Sequence, residues 1–431
     1  MKFDYGKNGI EINLDPNWNI TILKPLKQPL IDNPIIKIRE SINHPIGSLP
    51  LKDIIKKKRK LKTTCIVSND ITRPVPSYLI LEALIEELNA NGINDNQIII
   101  LIATGLHRPA NEIDLKTILG KDLQGRFRVI SHRANDNDSM IQLGVLDKDI
   151  PILINKHYYN ADLKILIGYV EPHFFFGFSG GRKSIVPGIA GAETIQANHS
   201  AENINSKFAR FGIYRNNPLH MQAIEISNLV DVDFIVNVCI NEKHELVQIA
   251  AGDLIKAHEK LIEYQKSHIF KEIQELYDIV ICGNGGYPLD LNLYQAVKSM
   301  AIGEMAVKKG GTIIAVNECI EGIGIGQDKF NELLYSGMEP SEIHQKILKK
   351  EIVVADQWEI QILTRILMNA NIFIISTLNA DEIGNIGLKY ANTVEEAIES
   401  CLKKYGPNAS ILILPNGPLV LPLLKKLSIN G

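Results

Sequence analysis

The chain has 431 residues, of which 45% are hydrophobic and 22% are charged. This composition excludes disordered and fibrous classes and is typical of globular proteins with a large core, and the length predicts two or three domains. The 46 basic and 49 acidic residues leave a net charge of −3, which gives no support to a nucleic-acid groove or a polybasic membrane patch.

The sequence also bears on the compartment. Its N-terminus, MKFDYGKNGIEINL, is charged where a signal peptide needs an apolar run. The longest apolar stretches, such as 97–105, fall well short of the ~20 residues that span a bilayer. The five cysteines are scattered without a Cys-x-x-Cys pair, which favours a reducing compartment over a disulfide framework or a zinc knuckle. We therefore expect a cytoplasmic protein with neither a membrane nor a nucleic acid as partner.

In chain order, the first 60 residues are rich in proline and predict β-structure or a wrapping arm. From residue 63, strand patterns that are almost continuous in Ile, Val and Leu alternate with amphipathic helical patterns. A parallel sheet covered by helices on both faces requires such strands, so the alternation predicts an α/β fold with right-handed crossovers. The predicted strands are 63–70, 97–105, 126–132, 152–155 and 163–170, and the predicted helices are 76–92 and 111–120.

A second set of α/β units follows a charged helix over 254–270. The charged stretch 265–276 marks a boundary, which predicts an N-terminal α/β domain over 1–268 and a C-terminal α/β domain over 276–431. Two such domains with largely parallel sheets favour an active-site cleft between them, and the last helix is a candidate to pack back onto the N-terminal domain. The later strands are predicted over 277–283, 311–319, 371–377 and 410–417, with helices over 291–311, 341–350 and 393–406.

Polar residues gather where predicted strands end, which is the edge at which open α/β sheets bind ligands. After the first of these strands come Asp70 and Arg73, and a planar guanidinium suits a carboxylate or phosphate. After another come Gly105, which frees the backbone to turn, and His107, an acid or base near neutral pH. The alternative for both segments is an ordinary turn with a structural Asp, Arg or His.

The segment from Glu171 to Gly188 is the richest in candidate chemistry. Its glycines beside Arg182 and Lys183 suit a backbone cradle for a phosphate, and its phenylalanines are either core or the wall of a dry pocket. Gly177-Phe178-Ser179-Gly180-Gly181 matches the nucleophile elbow of serine hydrolases, although Ser179 stands too far from the preceding strand. A Walker A loop is disfavoured because Arg182 occupies a position that requires glycine.

Two further candidates lie on predicted helices. His199 has no second His or Cys nearby, so zinc is a poor candidate. Asp290 is the candidate N-cap of the helix that carries Tyr294 and Lys298, four residues apart on one flank; an ordinary amphipathic helix is the alternative. The run Gly322–Gly326 departs from G-x-G-x-x-G and predicts a tight loop.

Together these segments resemble the nickel-dependent lactate racemase family, whose members use a nickel-pincer nucleotide. The resemblance runs from about residue 60 to past 300, with the motifs in family order and at family-like spacing. The matching residues are Asp70-x-Thr72-Arg73-Pro74, Ala103-Thr104-Gly105-x-His107-Arg108, Glu171-Pro172-His173, Gly177-Phe178-Ser179-Gly180-Gly181-x-Lys183, His199 and Tyr294-Gln295-x-x-Lys298.

The resemblance implies a role for each matching residue. Lys183 tethers the cofactor, Ni²⁺ with pyridinium-3,5-bisthiocarboxylic acid mononucleotide, covalently, and His199 is the protein ligand of nickel. His107 and His173 act as paired acid/bases, and Asp70 orients Arg73 or a histidine. Separate maturation proteins supply the cofactor. The remaining implied contacts are Arg73, Tyr294, Gln295 and Lys298 with the substrate, and Asp70, Thr104, Gly105, Ser179, Gly180 and Gly181 with the cofactor.

The implied reaction is racemisation of a 2-hydroxy acid, with lactate as the leading substrate. Removing the α-proton would place a carbanion beside a carboxylate, whereas removing a hydride leaves a neutral ketone, so the cofactor serves as hydride acceptor. Each enantiomer presents its hydroxyl in a different direction, which is why two histidines are needed. Two alternatives remain: a nucleotide or nickel-pincer binding protein without turnover, which would not need both histidines, and a serine hydrolase that uses Ser179.

Overall fold

The structure is a computed structural model that describes residues 1–58, 60–146, 150–354 and 357–425. The chain divides into two compact units, one formed by Gln28–Lys266 and the other by Met1–Lys27 together with Ser267–Gly431. Each unit contains a six-stranded sheet that is wholly or largely parallel. The predicted fold class, two α/β units with largely parallel sheets, is therefore confirmed.

The helices and strands are numbered in chain order. The strands are β1 (Lys2–Phe3), β2 (Ile10–Glu11), β3 (Ile20–Ile22), β4 (Thr64–Asn69), β5 (Ile98–Ala103), β6 (Arg128–Ser131), β7 (Met140–Leu146), β8 (Ile150–Asn155), β9 (Leu163–Tyr169), β10 (Pro172–His173), β11 (Gly177–Phe178), β12 (Phe234–Ile240), β13 (Leu246–Gly252), β14 (Phe270–Ile273), β15 (Tyr277–Gly283), β16 (Val307–Val316), β17 (Asn371–Ile375), β18 (Leu388–Tyr390), β19 (Ile411–Leu414) and β20 (Leu421–Leu424). The α-helices are α1 (Pro34–Asn43), α2 (Leu51–Lys58), α3 (Ser77–Ala90), α4 (Glu112–Leu123), α5 (Lys156–Tyr159), α6 (Ala192–Asn198), α7 (Ala201–Asn205), α8 (Pro218–Val230), α9 (Lys256–Ile269), α10 (Leu293–Glu304), α11 (Asp328–Leu334), α12 (Pro340–Leu348), α13 (Gln357–Leu367) and α14 (Val394–Tyr405).

The unit Gln28–Lys266 has the strand order β13-β12-β9-β4-β5-β6. Strand β4 lies between β5 and β9 and pairs with both in parallel, while β13 runs antiparallel at one edge. Strands β4, β5 and β9 are buried almost throughout, as their Ile- and Val-rich sequences require, and α1, α2 and α3 contribute apolar side chains to the same core.

The other unit has the wholly parallel order β18-β17-β16-β15-β19-β3. Its edge strand β3 comes from the N-terminal residues, with Ile20 opposite Ile411 in β19. The predicted N-terminal domain over 1–268 differs from this division, because β3 places residues 1–27 with the C-terminal sheet.

Helix α14 contributes to the core of the unit that contains it. It packs through Val394, Ala397 and Ile398 into the core of its own unit, against strand residues such as Ile279 in β15. The apolar stripe of α14 therefore covers the parallel sheet of its own unit. The packing of the last helix onto the N-terminal domain stays a prediction. Among the helices of the described residues, none has both the length and the apolar character needed to cross a membrane.

Candidate active site

Three neighbouring strands of the unit Gln28–Lys266 deliver the candidate residues. Strands β4 and β5 end in register, with Asn69 opposite Ala103, and β9 lies on the other side of β4. Asp70 follows β4, Gly105 and His107 follow β5, and the segment from Glu171 to Gly188 follows β9. The strand order reverses beside β4, and ligands of open α/β sheets bind at the carboxyl edge beside such a reversal. The candidate residues of this unit therefore follow neighbouring strands at one edge of the sheet.

Asp70 and His107 form a hydrogen-bonded pair. The His107 Nδ1 lies 2.7 Å from the Asp70 Oδ2, and the Thr72 hydroxyl donates to the other carboxylate oxygen at 2.8 Å. Asp70 is buried and the His107 side chain is half exposed. A carboxylate on Nδ1 selects the tautomer with the lone pair on Nε2 and stabilises the ring when it gains a proton. Of the two kinds of partner predicted for Asp70, an arginine or a histidine, the hydrogen bond is made with the histidine.

Arg73 joins the loops after β4 and β9. Its Nη1 lies 3.7 Å from the Glu171 Oε1. Burial alone would lower the pKa of Arg73, but the nearby Tyr169, Glu171 and Asp70 raise it by more than burial lowers it. The pKa therefore lies above its usual value, and the guanidinium stays charged. Glu171 was missed by the sequence reasoning as a partner of Arg73, although it belongs to a quoted motif.

Thr104 and Gly105 shape the loop that carries His107. The buried Thr104 hydroxyl donates to the His132 carbonyl at 2.6 Å, so it links the loop after β5 to the residue that follows β6. Gly105 has a φ of +53° and donates its N–H to the Gly188 carbonyl at 3.0 Å. Gly105 and His107 border a pocket of about 290 Å³.

His173 is the last residue of β10, directly before the hairpin turn that leads to β11. Its Nδ1 accepts hydrogen bonds from the Phe176 N–H at 3.2 Å and the Phe175 N–H at 3.5 Å. An acceptor Nδ1 implies that the proton of the neutral ring is on Nε2. His173 and His107 are therefore held in opposite tautomers.

The ring of Phe176 connects the remaining candidates. The Lys183 Nζ lies 4.5 Å from its centre, and the His199 and His173 ring centres lie 6.0 and 6.1 Å away. Phe174, Phe175, Phe176 and Phe178 are all buried, so they are core, and two of them also contact His199. Their burial supports the interpretation as core, and a dry pocket walled by them stays a prediction.

His199 follows α6 and is only 6% exposed. Burial and the positive charge of Lys183 lower its pKa to about 3. Its Nδ1–H donates to the Ile195 carbonyl at 3.1 Å, which puts the lone pair of the neutral ring on Nε2.

Ser179 and its neighbouring glycines serve the backbone of this turn. The Ser179 hydroxyl donates to the Tyr169 carbonyl and accepts the Glu171 N–H, both at 2.9 Å. These bonds hold the hydroxyl in the turn, so the geometry gives no support to the serine hydrolase alternative. Gly180 and Gly181 have φ of +78° and +54°, and a Cβ on either would lie 2.9 Å or less from a neighbouring side chain.

In the other unit, α10 carries Tyr294, Gln295 and Lys298. The Lys298 amine donates to the Gln295 side-chain oxygen at 2.6 Å, and Tyr294 packs its ring against Phe330 at 5.3 Å. The N-cap of α10 is Asn292, whose side chain accepts the Gln295 N–H at 3.0 Å. The predicted cap, Asp290, is wrong: its carboxylate instead accepts the N–H groups of Gly6 and Glu318.

Comparisons with known proteins show the family of the chain. Residues 5–212 match the lactate racemase N-terminal domain and residues 273–421 match the lactate racemase C-terminal domain. The chain belongs to the lactate racemase family. It is 35% identical over 428 residues to the lactate racemase of Thermoanaerobacterium thermosaccharolyticum, which covers 98% of each chain. It is 37% identical to that of Lactiplantibacillus plantarum over 88% of this chain and 89% of the relative.

A solved structure confirms the fold of this lactate racemase family member. The lactate racemase apoprotein from T. thermosaccharolyticum matches with a TM-score of 0.90 at 34% identity, over 98% of this chain and 99% of that one. A Thermotoga maritima protein shares the fold at 19% identity, with a TM-score of 0.65 over 91% of this chain and 98% of that one. The resemblance drawn from the motifs is thus confirmed, and the protein is an enzyme of the racemase type.

Proposed function

We propose that the protein interconverts the D and L enantiomers of a 2-hydroxy acid, with lactate as the substrate, through a nickel-pincer nucleotide attached to Lys183. The arrangement around Phe176 carries this proposal, because a lysine amine and a neutral imidazole both contact one ring. Such an arrangement allows a single bound group to be tethered by Lys183 and ligated by His199. The names of the two curated relatives support lactate as the substrate.

The residues around Lys183 fit this cofactor. Neutral imidazole is a good ligand for nickel, and the low pKa of His199, about 3, keeps its ring neutral. In the parts of the chain that the structure describes, no group of three or more His, Cys, Asp and Glu side chains is placed to hold a metal ion. A nickel ion at His199 would therefore draw its other ligands from the nucleotide. When bound, the group supplies an acceptor for the hydride at C2 of the substrate.

The histidines accept and return the proton of the substrate hydroxyl. His107 takes it at Nε2, and Asp70 stabilises the charged ring that results. His173 presents an Nε2–H in its present tautomer, so it hydrogen-bonds the substrate oxygen as a donor. To act as a base at Nε2, it must release the N–H of Phe176. The two histidines thus serve the two enantiomers from unequal starting states.

The carboxylate of the substrate needs fixed positive charge while the other groups at C2 change places. Arg73 and Lys298 are the residues we assign to it, with Tyr294 and Gln295 as further contacts. Arg73 stays charged at every pH of interest, since Glu171 and Asp70 help to hold its pKa above the usual value. This is a positioning role, and accurate positioning is a large part of enzymatic rate enhancement.

Incubation with one enantiomer of lactate tests the proposal. Protein should come from a host with the maturation proteins that we expect to supply the cofactor. L-Lactate should then approach an equal mixture of enantiomers in a chiral assay, with nickel bound to the protein in proportion to activity. Nickel-loaded protein that leaves L-lactate unchanged would instead be a binding protein without turnover, or a racemase of another 2-hydroxy acid, which the same assay with longer 2-hydroxy acids distinguishes.

A further inference from the structure

Arg182, next to Lys183, is the largest side chain of those that are almost fully buried, with 1% of its surface exposed. Its Nη1 donates to the Gly180 carbonyl at 3.2 Å, and its Nη2 donates to those of Phe178 and Phe176 at 2.8 and 3.4 Å. Arg182 therefore fixes the backbone that presents Lys183. In the described residues, its Nε–H has no hydrogen-bond partner.

The charge of Arg182 is not balanced by a neighbouring carboxylate. Burial is the one cause that lowers its pKa, to about 9, and no acidic group of the described residues acts on it. The guanidinium nevertheless remains protonated at neutral pH. Its closest ionisable neighbour is His258, whose Nε2 lies 3.0 Å from the Nη1. Burial and the charge of Arg182 lower the pKa of His258 to about 3, so this neighbour is neutral and compensates nothing.

A small cavity adjoins this unbalanced charge. Arg182, His220 and His258 line it, and its volume is about 30 Å³. His220 is 5% exposed, and its Nδ1 also has no partner in the described residues. Two polar groups without partners, on Arg182 and His220, thus belong to residues that border one cavity. About 10–15 Å³ of such volume holds one water, so the cavity admits one water or one monatomic ion and is too small for phosphate.

We propose that this cavity is a binding site for a small monovalent anion of the halide class, chloride in the cell, held by Arg182 and His220. A buried charge needs a partner of opposite sign, and a neutral water supplies only part of that compensation. Glu259 also borders the cavity, and its carboxylate is the competing source of negative charge. The bound anion would stabilise the turn that carries Lys183. The proposal concerns the folded apoprotein and does not depend on the proposed function.

Thermal unfolding of the apoprotein tests the site. At constant ionic strength, replacing gluconate with chloride is expected to raise Tm by roughly 1–3 °C for each tenfold increase above the dissociation constant, because the anion binds only the folded state. His220→Phe keeps the ring contacts with Tyr214 and His258 but removes the Nδ1, and should abolish the chloride effect. Glu259→Gln is the matched control and should retain it. Equal Tm values in both salts, or a chloride effect unchanged in His220→Phe, would overturn the proposal.

A crystallographic measurement separates an anion from a water without relying on stability. Crystals of the apoprotein grown in bromide should show an anomalous peak in the cavity beside Arg182 and His220. Density without anomalous signal identifies a water and overturns the proposal. If chloride dependence emerges only in Glu259→Gln, then Glu259 neutralises Arg182 in the parent protein, and the proposal is likewise wrong.

Discussion

Lys183→Arg should eliminate covalent cofactor attachment and reduce racemisation to background. Arginine keeps a cation beside the Phe176 ring, which lies 4.5 Å from the Lys183 amine, but a guanidinium does not deprotonate and is therefore a poor nucleophile. The variant thus separates the charge of the side chain from its ability to form a covalent bond. Intact-mass analysis of protein from a maturation-competent host measures the adduct directly.

The chain offers a matched control for this experiment. Lys207 lies 5.1 Å from the centre of the Phe208 ring, so it makes a similar cation–aromatic contact with a different ring. Lys207→Arg should retain both the adduct and the activity. An adduct of unchanged mass on Lys183→Arg would move the tether to another residue and remove the basis for the proposed site.

His107→Ala is expected to lower kcat/KM by about 10²–10⁴-fold, which is the usual contribution of general acid–base catalysis. Because the equilibrium constant of racemisation is one, kcat/KM must fall equally in the D-to-L and L-to-D directions. A difference between the roles of the two histidines can then show only in kcat and in KM measured separately for each direction. Asp70→Asn should give a smaller loss, since it removes the charge that stabilises protonated His107 but leaves the imidazole in place. Chiral assays started from each enantiomer measure these effects.

His173→Ala should cause a loss of the same order, with a different split between kcat and KM in the two directions. The reason is the opposite tautomer of His173, whose Nδ1 accepts the Phe176 N–H. His44→Ala, at an exposed histidine after α1, is the control and should leave both directions unchanged. Turnover near that of the parent protein in either His107→Ala or His173→Ala would remove that residue from the acid/base pair.

The sheet edge at which these candidate residues meet was predictable because local sequence determines where the strands end. Strands β4, β5 and β9 each contain a buried apolar run, and candidate polar residues follow each of them, so their carboxyl ends stand out in the sequence. Parallel pairing then brings those ends to one edge, with Asn69 opposite Ala103. The histidine partner of Asp70 was one of two partners that the family resemblance implied, and the shared edge brings it within reach.

Other features depend on contacts that sequence distance conceals. The pairing of Ile20 in β3 with Ile411 in β19 joins segments almost 400 residues apart, and no local sequence pattern predicts it. Asp290 and Asn292 are both good N-cap residues, and only the competing N–H groups of Gly6 and Glu318 decide which of them caps α10. In the sequence, Arg182 only counts against a Walker A loop. Its burial and, within the described residues, its unpaired Nε depend on the fold and cannot be read from the local sequence.

The fate of the α-hydrogen tests the proposed hydride transfer most directly. L-Lactate racemised by the loaded enzyme in D₂O should yield D-lactate that retains protium at C2, because the hydrogen leaves and returns as a hydride that does not exchange with solvent. Deuterium at C2, accumulating as fast as the enantiomers interconvert, would mean that the enzyme removes a proton, and hydride transfer to a tethered cofactor would be contradicted.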